Sequence, residues 1–471
     1  MKYDYRIISR ECVDAMLSSA LRMIDEIGIE TSRKDLLDRA RGLAGLRVSG
    51  NRIFVAPDVA LEVIKQNQVN TGDPSPRPEH PKITVPESAS LFADHHARVL
   101  RPMTRADVIA GTKLLDGLTP RWVIGKAAGT PQDTIPPMRP LEQYVIGFRH
   151  SRHRGVTRVP LTKAEAPFLS EMREIAEGFD PKRRDFSVWV PSPLRLEGNE
   201  LDDLLDSGAQ VSSFYVGSMP VMGLTGPADP IGVYTLSLAE TLGGAAILHR
   251  VFPEAKASLY PHPQPMDPRS GLMAFGTPEW NHLELMKKEL FEHLGMPPKP
   301  KENLTSACMP DSQAQADKMA SIAFGVAHGF THFNLFPLCA DEAWSHAQLV
   351  LDVEYVHVAW RTQKPVSEKD RASEAFDMVE RCLREGMICG EVRDSVRHLR
   401  ENYYLSPIPR VFSSGQWNGA GRPDVVSDAE AYAHELISNA DYAPQEDKFR
   451  KVMGVYRRAC RAFGAEPMNF D

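Results

Sequence analysis

A chain of 471 residues is long enough for two or three ordinary domains or for one large α/β barrel with additions. Its 42% hydrophobic and 25% charged residues are those of an ordinary globular protein and argue against global disorder. With 55 Lys and Arg against 62 Asp and Glu, the net charge of -7 disfavours a general attraction to nucleic acid or anionic membrane, so a small molecule is the expected partner.

The opening MKYDYRIISRECVDAML has neither a basic n-region nor an apolar h-region, so no export is expected. Val13, Met16, Leu17, Ala20, Leu21 and Ile24 recur at helical spacing, and Gly28 stands where a C-cap would. A second helix is expected from about Ser32. Residues 70–88 carry Pro74, Pro76, Pro78, Pro81 and Pro86 and read as an irregular strap, which places a boundary near residue 90. The expected organisation is a helical extension over 1–90, a catalytic domain over 91–410 and a helical tail over 411–471.

After the strap, short apolar runs alternate with helical stretches. WVIGKA (122–127), GVTRV (155–159), FSVWV (186–190), SSFYVG (212–217), ASLY (257–260), LTSAC (304–308) and HFNLF (332–336) have the length and composition of strands. Strands separated by helices imply βα units and a parallel sheet. Without a glycine-rich dinucleotide fingerprint after the first strand, the pattern favours an α/β fold of the (β/α)8 barrel type over a doubly wound sheet. The eighth strand is expected before residue 103 or near Tyr403. Residues 231–248 are apolar enough to suggest a membrane span, but Glu240 and several hydroxyl residues argue for a buried core helix. Six scattered cysteines without a CxxC pair suggest neither a disulfide framework nor a zinc knuckle, and a cytoplasmic location is expected.

Barrel strands alternate inward and outward side chains, and active sites gather at their C-terminal ends. In FSVWV the apolar set Phe186, Val188 and Val190 is expected to face the helices, leaving Ser187 and Trp189 inside. The same reasoning turns Ser213, Tyr215 and Gly217 inward, then Ser258, Tyr260 and His262, then His332, Asn334 and Phe336. Trp189, Tyr215, Tyr260 and Phe336 thus become four candidate walls of one site, with His262, His332 and Asn334 beside them. Aromatic faces attract a quaternary ammonium, which has no hydrogen to donate, by about 0.5 to 2 kcal/mol each. The bland alternative for each ring is barrel-core filling. His262, His332 and His346 are candidate bases or ligands, but no HxH, HExxH or HxC spacing groups them, so no metal is expected. GLTGP and NGAGRP lack the Walker spacing, so no nucleotide is expected either.

Between Val221 and Glu279 the segments GLTGPADPIG, KASLYPHP, MDPRSG and GTPEW follow in order. EIGIETSRKDLLDRA precedes them, and MPDSQAQADKM and LVLDVEYV follow. Together, over roughly residues 5 to 405, the chain resembles the trimethylamine methyltransferase family of corrinoid-dependent enzymes. That resemblance implies methyl transfer from a methylated amine to the cobalt(I) of a reduced corrinoid. It also directs attention to Asp311, Glu279 and Glu240 in family-like segments, with Asp311 as the candidate for orienting a ligand. The founding trimethylamine enzymes carry a pyrrolysine that is missing here, which favours a quaternary, betaine-like amine. The nearest match to the corrinoid motif DxHxxG, Asp94-His95-His96-Ala97-Arg98-Val99, lacks the glycine. The corrinoid (cobalamin) is therefore expected on a separate corrinoid-binding protein, and homo-oligomers are compatible with the sequence. The alternatives are a binding or sensory protein that kept the ammonium cage without catalysis, and a barrel lyase or hydrolase.

Overall fold

The computed structural model describes residues 6–69, 77–153, 164–180, 183–206, 208, 210–364, 371–393, 396, 399, 402–408 and 411–469. GVTRV at 155–159, expected as a strand and including Arg158, lies outside them. The fold is mixed α/β. It begins with helix α1 (Arg10–Arg22) and a small antiparallel sheet of β1 (Ile29–Glu30), β2 (Leu46–Ser49) and β3 (Arg52–Val55), which carries α2 (Lys34–Ala40) and α3 (Pro57–Asn67). Then follow β4 (Lys82–Thr84), β5 (Leu91–Asp94), β6 (Val99–Pro102), α4 (Arg105–Gly117), β7 (Val123–Ile124), α5 (Arg139–His150) and α6 (Ala166–Glu177). Next come β8 (Arg183–Trp189), α7 (Asn199–Asp206), β9 (Gln210–Ser218), α8 (Pro230–Val251), β10 (Lys256–Pro261), α9 (Pro278–His293), β11 (Lys301–Asn303), α10 (Ser312–Ala327), β12 (His332–Leu335) and β13 (Ala343–Trp344). The longer helices that end the chain are α11 (His346–Thr362), α12 (Arg371–Glu385), α13 (Val425–Ser438) and α14 (Glu446–Phe463).

Two parallel arcs organise the middle of the molecule, one ordered β8, β9, β10 and the other β7, β4, β12, β11. The residues read as a strap therefore contain a parallel strand: Lys82, Ile83 and Thr84 lie opposite His332, Phe333 and Asn334. With one apolar residue in three, β4 gives no alternation to detect. A second displacement concerns LTSAC. The strand there is the preceding Lys301-Glu302-Asn303, polar in sequence yet wholly buried.

Helix α8 forms the floor of the first arc. Asp229 caps it through Gly232 N at 2.8 Å, and Pro230 begins it, as the sequence suggests. It is long and apolar enough to cross a membrane by length and composition, but 89% of its apolar window is buried inside the fold. Gly244 permits this contact, since a Cβ there would stand 3.1 Å from both Val190 and Val216. The outward residues Phe186, Val188, Val190, Phe214 and Val216 all join the core beneath α8, together with residues of α1 and α3. Each such buried side chain contributes about 1.5 to 3 kcal/mol. The C-terminal helices join the same body: α13 packs on α11 and α4, and α14 packs on α5 and α6.

Candidate functional site

Register places the rings. Trp189 and Tyr260 lie in one row, on either side of Gly217 of β9. Tyr215 occupies the row below, between Ser187 and Ser258. The outward apolar residues fix this parity, so the rings must point the other way. They meet one another: Trp189 lies 5.9 Å from Tyr215 at 70° and 6.4 Å from Tyr260 at 90°, and the two tyrosines are 5.3 Å apart. Gly217 makes the arrangement possible, because a Cβ there would come within 2.6 Å of the indole.

His262 continues the cluster. Its ring is 4.9 Å from Tyr260 and meets Trp280 edge-on at 5.5 Å, and its Nε2 lies 3.0 Å from Glu302 Oε2. Both members of this pair are buried. Burial, reinforced by Asp341, pushes the Glu302 carboxyl up to about 8, and burial with Lys287 nearby holds His262 well below its ordinary range. At neutral pH the pair is therefore a protonated carboxyl beside a neutral imidazole. Glu302 is also close enough to Tyr215 for its charge to act on the phenol, which burial already keeps protonated.

Asp341 is the second buried acid, raised to about 7 by burial and bonded by the Ser88 hydroxyl. It ends a run of three non-glycine residues in the left-handed region, Cys339, Ala340 and Asp341, at φ 54°, 53° and 92°. Each costs of order 1 to 3 kcal/mol and persists only where the surroundings enforce it. Here Cys339 N donates to Ala307 O at 2.8 Å and Ala340 N to Thr305 O at 2.9 Å. Lys318, fully buried on α10, ties the ends of β11 and β12 by donating to Asn303 O (2.8 Å), Phe336 O (2.5 Å) and Asp352 Oδ2 (3.0 Å).

The other expected residues are distributed differently. His332 and Asn334 stand together on β12, both bonded to Thr84: Thr84 Oγ1 lies 2.8 Å from His332 Nε2 and donates to Asn334 Oδ1 at 3.0 Å. Burial takes His332 down to about 4, so it is neutral and donates from Nε2. Phe336 packs with Phe275, Trp280 and Leu304 and shares no ring contact with Trp189, Tyr215 or Tyr260. It lies one residue beyond the end of β12, where strand alternation no longer sets its direction. Asp311 is exposed and caps α10, accepting from Gln313 N and Ala314 N. Glu240 is buried, accepts from Ser192 Oγ and Leu194 N, and is raised to about 7 by burial. Glu279 sits in the first turn of α9.

His262, Glu284 and Glu302 have ligand atoms within 4.8 Å of one another, the composition of a metal centre. Here Lys287 Nζ already holds Glu284 at 2.6 Å, and Glu284 accepts from Glu302 N at 2.8 Å. The buried ammoniums of Lys287 and Lys301 supply the positive charge a metal would bring. Lys287 and Lys299 place their Nζ atoms 5.1 and 5.6 Å from the Tyr260 centroid. Among the described residues neither Trp189 nor Tyr215 has such a neighbour. A cavity of about 480 Å³ lies at the opposite end of the second arc, lined by residues such as Arg77, Trp122 and Trp360, and contains none of the rings.

The family model for trimethylamine methyltransferase (MTTB) matches residues 2–459. The chain belongs to this family. Among its relatives, the glycine betaine methyltransferase of Desulfitobacterium hafniense (strain Y51) is 21% identical over 457 residues, 93% of either chain. The trimethylamine methyltransferase MttB of Methanosarcina barkeri is 23% identical over 291 residues, 60% of this chain and 57% of its own. The crystal structure of the Methanosarcina barkeri monomethylamine methyltransferase (MtmB) aligns with a TM-score of 0.41 at 10% identity, covering 98% of this chain and 88% of that one. The sequence reading of a trimethylamine methyltransferase family member therefore holds.

Proposed function

We propose that this methyltransferase removes a methyl group from a quaternary, betaine-like amine and delivers it to a corrinoid carried by a partner protein. The observation that carries the reading is the mutual contact of Trp189, Tyr215 and Tyr260 on three adjacent parallel strands, beside a buried acid. The two parallel arcs belong to one (β/α)8 ring. The rings then line the interior near the C-terminal end of their strands.

Rings of this kind hold the ammonium by their faces, each contributing about 0.5 to 2 kcal/mol depending on desolvation. Trp189 and Tyr215 contribute most, because the Tyr260 ring already has two lysines beside it. Those lysines, Lys287 and Lys299, suit a substrate whose far end carries a carboxylate. Glu302 ionises as the cation arrives and becomes its counter-charge. A quaternary ammonium that loses one methyl group leaves as a neutral tertiary amine, so no proton has to be supplied, and the site accordingly offers positioning and dryness in place of an acid-base dyad.

The corrinoid, when bound, supplies the nucleophile that proteins lack for an unactivated amine. This chain's residues fit that division of labour. Around the rings stand neutral groups and the lysines beside Tyr260, with no thiolate poised beside them among the described residues. The loops after β9 and β10, joined by Met222 N donating to Gln264 O, expose Met219, Leu224, Leu272 and Met273, an apolar rim that would meet the partner's domain. The test is a panel of methylated amines incubated with the purified chain and reduced cobalamin, with the tertiary amine measured by mass spectrometry. Appearance of dimethylglycine or a like product only when both protein and corrinoid are present is expected. Turnover without any corrinoid would overturn the reading.

A further inference from the structure

The turn between β5 and β6 carries His95 and His96 against α13, and both imidazoles bring Nε2 close to one oxygen of that helix. His96 Nε2 is 2.7 Å from Glu430 Oε2, and His95 Nε2 is 3.2 Å from the same atom. The two rings lie 4.0 Å apart. The three ligand atoms all fall within 4.8 Å of one another.

These two contacts differ in kind. The His96 contact is a hydrogen bond, but His95 Nε2, although within 3.2 Å, is not aligned with its neighbour and is a buried nitrogen without a hydrogen-bond partner. A nitrogen and an oxygen held close without pointing at each other are related as two ligands of one ion. On a tetrahedral ion with bonds of about 2.0 to 2.2 Å, ligand atoms stand about 3.3 to 3.6 Å apart, so the His95 pair at 3.2 Å is near that spacing and the His96 pair at 2.7 Å has to open to reach it. The charge also suits a dication. Asp424, the N-cap of α13, lies near enough for its charge to act on His95, while its oxygens are taken up by Val426 N, Ser427 N and Ser427 Oγ. It adds negative potential without competing as a ligand.

We propose that His95, His96 and Glu430 bind one first-row divalent transition-metal ion, Zn²⁺ by its preference for imidazole and carboxylate in a four-coordinate shell. Solvent completes the shell on the side of His96, whose side chain is 69% exposed. The ion ties the β5–β6 turn to a helix more than three hundred residues further along the chain, so its role is to hold α13 on the body. The sequence reading expects no metal from the spacing of His262, His332 and His346 and takes His95 and His96 only for a near match to the corrinoid motif; their partner Glu430 is remote in the chain.

The experiment is titration of the EDTA-treated full chain with ZnCl₂ by calorimetry, with metal content measured by mass spectrometry after desalting and with Co²⁺ as a spectroscopic probe. One ion per chain is expected, with a Co²⁺ visible spectrum typical of low coordination number and a higher melting temperature in the presence of Zn²⁺. His96→Ala and Glu430→Gln should abolish all three while melting like the metal-free wild type. His293→Ala, which removes another histidine paired to an acid, should bind as the wild type does. Failure of the wild type to bind stoichiometrically, or binding unchanged by both triad variants, would overturn the proposal.

Discussion

Gly217→Ala tests the ring cluster without touching a ring. The added Cβ would lie 2.6, 2.7 and 2.9 Å from Cζ3, Cε3 and Cη2 of Trp189, distances that real Cβ atoms essentially never show. The indole must swing away, because Gly217 is flanked by strands on both sides and its backbone cannot move. Overpacking of this kind costs about 1 to 3 kcal/mol of stability. Loss of the indole face should weaken quaternary ammonium binding by about 0.5 to 2 kcal/mol, or about 2- to 30-fold in Kd. Calorimetric titration with glycine betaine and with an uncharged isostere, its nitrogen replaced by carbon, measures this, and the isostere should lose less. The decisive arm is Trp189→Ala. In that background the alanine at 217 has nothing to strike, so its effects on melting temperature and on Kd should largely vanish. If Gly217→Ala bound betaine like the wild type, or weakened it equally with and without Trp189, the ring would not be part of the site.

Three further outcomes follow from the same geometry. Glu302 has a folded pKa raised from about 4.5 to about 8, so the folded state holds the extra proton across that range, and its contribution to stability falls as pH rises from about 4.5 to 8. The difference in melting temperature between wild type and Glu302→Gln should show that slope, and betaine affinity should rise with pH toward 8 in the wild type but not in the variant. Lys318→Ala leaves Asp352 buried without its ammonium and should cost about 3 to 5 kcal/mol in chemical denaturation; a loss below 1 kcal/mol would contradict its assigned role. Asp311→Ala should cost only the α10 cap, about 0.5 to 2 kcal/mol, with kcat and KM of amine demethylation unchanged, whereas a large fall in kcat would restore it as a functional residue.

Particular residues show what a sequence can reveal of such a site. Trp189, Tyr215 and Tyr260 were legible because they alternate with Val188, Val190, Phe214, Val216 and Leu259, which join the core beneath α8, so the period of two left them one direction. Phe336 was not, since β12 ends at Leu335 and the alternation ends with it. Strand β4 has three residues and a single aliphatic one, too little pattern to separate from the prolines around it. Glu302 and Lys301 were hidden for the opposite reason: a polar tripeptide reads as surface, and only the remote helices α9 and α10 explain its burial. His95 and His96 were visible as residues, but Glu430 came from the far end of the chain, beyond any local spacing.

The buried charges around Glu302 serve structure and site together. Strands β10 and β11 belong to different arcs, so Glu302 gains no backbone partner from β10. Side chains of α9 meet part of that need: Glu284 accepts from Glu302 N at 2.8 Å, and Trp280 Nε1 donates to Glu302 O at 3.2 Å. Those side chains in turn require company, Lys287 for Glu284 and the edge of His262 for Trp280. What results is a dry, polar seam next to the Tyr260 ring. An apolar seam would leave Glu302 N and O without these partners, and a wet one would hydrate an ammonium held by the rings. The seam keeps Glu302 neutral, and on the proposed function it would let this carboxyl ionise when a cation arrives, so that the residues joining the two arcs would also set the charge of the site.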